Sequence, residues 1–252
     1  MKTKIVDFHS HVLPEIDDGS QSVDMSLTML KKEAEQGIHT VVATPHFYAW
    51  NDSPERFLAR RDDAEPRLRD DMVGENDMPE LYMGAEVAFY PGMSGTDALQ
   101  SLCIGKSKYI LVELPGTPWY NSVYEELQAI WDRQGLIPVI AHVDRYLEPF
   151  RIERLMRKLE DLPVLIQANA SFFLQKSTVR TAVRLLRSGR IHLLGSDCHN
   201  LSSRAPQLGH AVEEIHQRLG DGALGWILEH QQDIFPASTS KCVDPLYAGA
   251  YV

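Results

Sequence analysis

Seven short runs of β-branched and aliphatic residues recur along this 252-residue chain, at Ile5 to Phe8, Thr40 to Thr44, Leu81 to Ala85, Tyr109 to Leu114, Ile137 to Ala141, Val164 to Ala168 and His192 to Ser196. Runs of that length, bounded by turn residues, read as buried strands. Helical patterns lie between them. Leu27, Leu30 and Ala34 recur at helical spacing after Ser22, a capping residue, and Gly37 is placed to stop that helix in a left-handed conformation. Val123 to Gln134 before Gly135 repeats the design, and Ile152 to Leu159, Thr178 to Ser188 and Gln207 to Leu219 add three more helices. Alternating strands and helices require a parallel sheet with right-handed crossovers. Seven such units without a Gly-rich phosphate loop favour an α/β fold of the distorted seven-stranded (β/α) barrel type over a doubly wound sheet.

The length suits one domain, taken as residues 1–235, followed by a tail over 236–252 that mixes Ser, Thr, Pro, Gly and Tyr without periodicity and is expected to be irregular. Pro54 to Asp77 is highly charged and interrupted by Pro66, which predicts a kinked or exposed excursion. A hydrophobic content of 44% with 24% charged residues excludes disorder as the default. The net charge of −10 argues against a nucleic-acid partner, because backbone binding needs a basic face. The chain opens on Met1-Lys2-Thr3-Lys4 without an apolar leader, and no apolar run nears the ~18 residues needed to cross a bilayer, so a cytoplasmic protein with no membrane span is expected. Cys103, Cys198 and Cys242 show no paired spacing, which fits reduced thiols. Oligomeric state is not legible in the chain.

The chemistry is concentrated where the runs end. Six of the seven endings carry His, Asp or Glu, and a parallel barrel gathers the C-terminal ends of its strands at one face. His9 and His11 stand two apart on an extended segment, so both side chains point the same way; Asp197 and His199 repeat the spacing. His46, Glu86 and His142 follow three further runs. Glu113 lies inside Tyr109-Ile110-Leu111-Val112-Glu113-Leu114, where a carboxylate needs a cation or a proton. A structural strand-end role would account for any one of these residues alone, but their recurrence points to a multinuclear metal hydrolase. His39 and His192 fall at strand starts, the stabilising end, and His210, His216 and His230 fall on helices. Cys198 alternates away from its neighbours and reads as packing, while Asn169 touches substrate or bonds a loop.

The motifs Asp7-Phe8-His9-Ser10-His11, Asp17-Asp18-Gly19, Ala43-Thr44-Pro45-His46, Gly84-Ala85-Glu86, Ala141-His142-Val143-Asp144-Arg145-Tyr146 and Ser196-Asp197-Cys198-His199-Asn200-Leu201 resemble, in order, the PHP (polymerase and histidinol phosphatase) superfamily. Within it the chain is most similar to the bacterial protein-tyrosine phosphatases of capsular and exopolysaccharide synthesis. The resemblance spans about residues 5 to 235 and implies the PHP fold, a TIM-like barrel. It implies a first metal on His9, His11, Glu86 and Asp197, a second on Glu86, Glu113 and His142 with Glu86 bridging, and a third on Asp18, His46 and His199. Asp17 stands beside Asp18, and the residues alone do not decide between them. The resemblance further implies that Arg145 and Arg204 hold the substrate phosphate and that two or three Mn²⁺ ions are bound, iron or zinc being the alternatives. The implied reaction is in-line attack of a metal-bridging hydroxide on phosphorus, and the implied substrate is a phosphotyrosyl protein, a bacterial tyrosine kinase. Phe47-Tyr48-Ala49-Trp50 departs from the more polar residues expected after His46, and Asp144 stands where the family commonly has Glu. The rival readings are a phosphatase for histidinol phosphate or a sugar phosphate, an amidohydrolase-type reaction, and a regulatory module without turnover.

Overall fold

The computed structural model describes residues 4–147 and 152–235; the tail expected over 236–252 lies outside the described residues. Strand β1 (Ile5–Ser10) is buried along its whole length, Asp7, His9 and Ser10 included, because both faces of the parallel sheet are covered. Helix α1 (Val23–Glu35) begins where Ser22 accepts the Met25 N–H, and it buries Met29, Leu30 and Glu33. Gly37, at φ 82°, then reverses the chain into β2 (Ile38–Ala43). The chain breaks pairing at Thr44-Pro45, where Pro45 lacks an N–H, and resumes as β3 (His46–Phe47).

Helix α2 (Pro54–Met72) replaces the expected kinked excursion. Ser53 caps it, and buried Phe57, Ala64 and Leu68 anchor one face firmly enough to tolerate Pro66, which costs a single backbone donor. There follow β4 (Glu80–Met83), β5 (Glu86–Ala88), β6 (Tyr109–Glu113), α3 (Asn121–Gln134) and β7 (Ile137–Ile140). The chain continues through α4 (Ile152–Glu160), β8 (Leu165–Asn169), α5 (Ala170–Leu174), α6 (Val179–Arg187), β9 (Leu193–Gly195), α7 (Leu208–Leu219) and α8 (Gly225–Ile234). The short α5 and the terminal α8 were not expected from the sequence.

Every pairing is parallel, in the orders β1-β2-β4 and β3-β5-β6-β7-β8-β9. Gly84 N donates to Ala43 O and Glu86 N to Pro45 O, carrying the pairing across both chain breaks, so the two orders merge into one curled parallel sheet. The seven runs read from the sequence fall on β1, β2, β4, β6, β7, β8 and β9; β3 and β5 lie just past the ends of two of those runs and were not read. Beyond β9, Asp197 N donates to His9 O (2.7 Å) and His11 N to Cys198 O (2.9 Å), which brings the chain's last strand exit against its first. No residue but Gly fits at 195, because a Cβ there would stand 2.6 Å from His9 Cβ.

Two apolar clusters follow the alternation of the strands. Ile110, Val112, Ile140 and Leu194 face the helices with Leu30, Leu127, Met156 and Leu185. Val6, Phe8, Val42, Leu111, Val139 and Leu193 face the other way, inside the curl, where Ile234 and Phe235 close the cluster. From α8, Gln231 Oε1 accepts the Val6 N–H (3.0 Å) while its Nε2 donates to Lys4 O, so the last helix completes the hydrogen bonding of β1. Among the described residues no helix is long and apolar enough to cross a membrane.

Candidate metal centre

Strand exits set the positions of nine ligand-type side chains. Glu86, first residue of β5 and fully buried, is the hub. Its Oε2 lies 3.1 Å from His9 Nε2, 3.3 Å from His11 Nε2 and 2.9 Å from His46 Nδ1, yet has hydrogen-bond geometry with none of them. Its Oε1 meets His142 Nε2 at 2.7 Å, and His142 is also 3.5 Å from Glu113. Atoms that crowd a common point without aligning on one another are what a cation's ligands look like. His9, His11 and Glu86 form one such set, His46, Glu86 and Glu113 a second, and His11, Asp18, His46 and His199 a third; within each set the ligand atoms lie within 4.8 Å of one another. Asp197 Oδ1 stands 3.6 Å from both His9 Nε2 and His11 Nε2.

Surrounding groups orient the imidazoles. His11 Nδ1 bonds Asp17 at 2.7 Å, His9 Nδ1 faces Gln167 Oε1 at 3.3 Å, and His199 Nδ1 bonds the Asp197 carbonyl at 3.0 Å, acceptors that would hold a proton on each Nδ1 and leave Nε2 for a cation. This geometry places Asp18 with His46 and His199, while Asp17 is spent on His11 and on the backbone N–H groups of His46 and Gly19. His142 and Asp197 hold φ at 32° and 53°, conformations that cost energy for residues with a Cβ and that collect at functional sites.

The pocket sets carboxylates against imidazoles and guanidinium groups. Burial alone would raise the Glu86 carboxyl, but the charge of His9 and the close imidazoles of His11, His142 and His46 hold it well below the ordinary range. Burial likewise opposes ionisation of Asp197, which His9, Arg145 and His11 more than offset. Burial would also depress His11 and His142, yet Asp17 with Glu86 raises the first to about 10 and Glu113 with Glu86 raises the second to about 9. Protons and divalent cations compete for the same lone pairs in such a site. The oxygen and imidazole donors, with no thiolate among them, suit manganese, iron or zinc.

Arg145 and Arg204, partly exposed at the mouth, both donate to Asp197, Arg204 at 2.7 Å, and Asn169 Nδ2 joins them at 2.9 Å. His39 and His192 stand away from the cluster at strand starts, and Cys198 is buried. Several supporting residues escaped the sequence reading. Asp7 Oδ1 accepts the N–H groups of His9 (3.0 Å) and Ser196 (2.9 Å), Glu33 is buried against Asp7, and Gln167 Oε1 accepts the His142 N–H at 2.6 Å. Their signal was a polar residue in an otherwise apolar strand or on the buried face of a helix.

An α/β protein whose parallel strands end in a convergent His and carboxylate cluster falls in the class built around a strand-end metal centre. Residues 5–233 match the family described as "Capsular polysaccharide synthesis, CpsB/CapC". The chain belongs to that family. It is 30% identical over 236 residues to the tyrosine-protein phosphatase CpsB of Streptococcus pneumoniae, covering 86% of this chain and 91% of that one. It is 29% identical over 226 residues to the tyrosine-protein phosphatase YwqE of Bacillus subtilis, covering 86% and 85%. A crystal structure from work on YwqE and CpsB, described as unique metal-dependent tyrosine phosphatases, superposes with a TM-score of 0.79 at 25% identity, covering 90% of this chain and 93% of that one.

Proposed function

We propose that this chain is a metal-dependent phosphomonoesterase acting on phosphotyrosine in a bacterial tyrosine kinase that controls capsular or exopolysaccharide synthesis. One observation carries the reading: four imidazoles, those of His9, His11, His46 and His142, converge on the buried Glu86 carboxylate beneath two mouth arginines. The relatives' descriptions as tyrosine phosphatases supply the substrate class.

In this reading His9, His11, Glu86 and Asp197 hold one ion, Glu86, Glu113 and His142 a second, and Asp18, His46 and His199 a third, with manganese the preferred metal. The ions, when bound, supply Lewis acidity and an activated water. The protein's own groups do the rest. Asp17, Gln167 and the Asp197 carbonyl fix the imidazole tautomers. Arg145 and Arg204 present planar forks to the phosphate oxygens, orienting phosphorus over the cluster. A phenolate leaves with little need of a strong acid, and none is required among the residues at the mouth. The seven strand positions and the pairing of His9 with Asp197 favour a seven-stranded barrel formed by one domain, residues 1–235. The unpaired, buried Cys103 and Cys198 favour a cytoplasmic location.

Full-length protein loaded with Mn²⁺ should hydrolyse a phosphotyrosyl peptide faster than a phosphoseryl peptide or histidinol phosphate, and a chelator should stop it. Silence towards all three would overturn the phosphatase reading. A preference for histidinol phosphate would replace the protein substrate with a small molecule.

A further inference from the structure

The segment leaving β3 carries a series of rings that metal binding does not use. Tyr48 stacks on His46 with centroids 5.1 Å apart and planes 22° from parallel, and Trp50 continues the series at 5.0 Å and 37°. Phe47 points the other way, fully buried edge-on against Phe57 at 5.3 Å, so the core is filled without Tyr48 or Trp50. The series runs from inside to outside: the His46 side chain is 11% exposed, Tyr48 is partly buried, and Trp50 is 63% exposed.

Its inner end touches the reaction centre, since His46 Nδ1 stands 2.9 Å from Glu86. At the outer end Trp50 lines an open pocket of about 490 Å³ with Asp52, Arg56 and Tyr90. An indole left this exposed forgoes most of the burial that would justify it as core.

We infer that Tyr48 and Trp50 form the subsite for the aromatic ring of the leaving group, so that the enzyme selects aryl over alkyl phosphomonoesters. The inference rests on the phosphatase reading above and extends it to substrate discrimination. A phosphoryl group held at the Glu86 cluster must lead its ester oxygen and leaving group out through the mouth, and the His46 side of that exit is walled by aromatic rings. Such rings accept a phenyl group in offset or edge-on contact, a gain beyond area burial that an alkyl side chain cannot collect. The indole at the outer end is the ring with free area for it.

The test uses the Mn²⁺-loaded full chain and two peptides of identical sequence, one carrying phosphotyrosine and the other phosphoserine. Trp50→Ala should lower the ratio of their kcat/KM values by roughly tenfold, chiefly through a higher KM for the phosphotyrosyl peptide. Trp50→Phe should restore most of the ratio, and equal manganese stoichiometry in all three proteins checks that the centre is intact. A ratio unmoved by Trp50→Ala, or restored no better by Phe than by Ala, overturns the subsite. Wild-type protein that turns over both peptides equally well also overturns it while leaving the phosphatase reading standing. Wild-type protein that turns over neither overturns both.

Discussion

Asp7 is buried between the first strand and the segment beyond the last, and its value to the fold is calculable. Its Oδ1 accepts two buried backbone N–H groups, those of His9 and Ser196. Asp7→Ala would strand both donors in the core, at about 1–3 kcal/mol each. Asp7→Asn keeps an oxygen in the same place and offers an amide to Glu33, whose carboxyl is driven well above its ordinary range by burial and then by the Asp7 charge. Both variants discard the Asp7 carboxyl, which burial raises to about 6, so relief of that buried charge cancels when the two are compared. The alanine variant should therefore be less stable than the asparagine variant by roughly 2–6 kcal/mol. For a chain of this length that is about 5–20 °C in Tm. Urea and thermal unfolding followed by circular dichroism in chelator would read this difference free of metal binding. Coincident midpoints for the two variants would refute the idea that Asp7 acts through those two N–H groups.

Glu86→Gln removes the shared carboxylate, and manganese content and phosphatase activity should both fall by at least about a hundredfold; normal turnover with full metal loading would take Glu86 out of the centre. Asp17→Asn weakens the partner of His11 Nδ1 and removes an acceptor from the backbone N–H of His46 or Gly19, so manganese affinity measured by calorimetry should drop roughly 10–100-fold, and an unchanged affinity would contradict the orienting role. Burial, helped by the charge of His230, holds His192 down to about 3, and its Nδ1 accepts the Ile166 N–H at 3.0 Å. Because that folded value lies below the usual 6.5, the stability it confers is complete above pH 6.5 and is lost as the pH falls towards 3. Urea midpoints should drop more between pH 7 and 5 in the wild type than in His192→Asn, and parallel curves would contradict this assignment.

His9 and His11 were legible because a period of two is built into extended backbone, and Glu113 because a carboxylate inside an apolar run is tolerated only beside a cation or with a proton. Asp197 and His199 share that spacing but lie beyond β9, with Asp197 at φ 53°, so the turn and not strand alternation sets their directions. Asp17 and Asp18 were not separable, since both precede Gly19 and only the turn's path sends one towards His11 and the other towards His199. Glu33 shares the buried face of α1 with Ser26, Met29 and Leu30, spacing that was visible, but a charged residue at such a position reads as solvent-facing until its partner, far away in sequence, is known. The helix over Pro54–Met72 was obscured because tertiary anchoring at Phe57, Ala64 and Leu68 outweighed the proline. At five residues, α5 falls below the length at which periodicity is readable.

The bond from Val6 N to Gln231 spans 225 positions, so a nascent chain leaves the ribosome with its first strand unsealed for nearly the whole of synthesis. The seam can be closed only once α8 has emerged, which makes assembly a late, non-local event and exposes an apolar edge to other chains in the meantime. A stop codon just before Gln231 would spare every ligand of the metal cluster and still deny the sheet its final stitch.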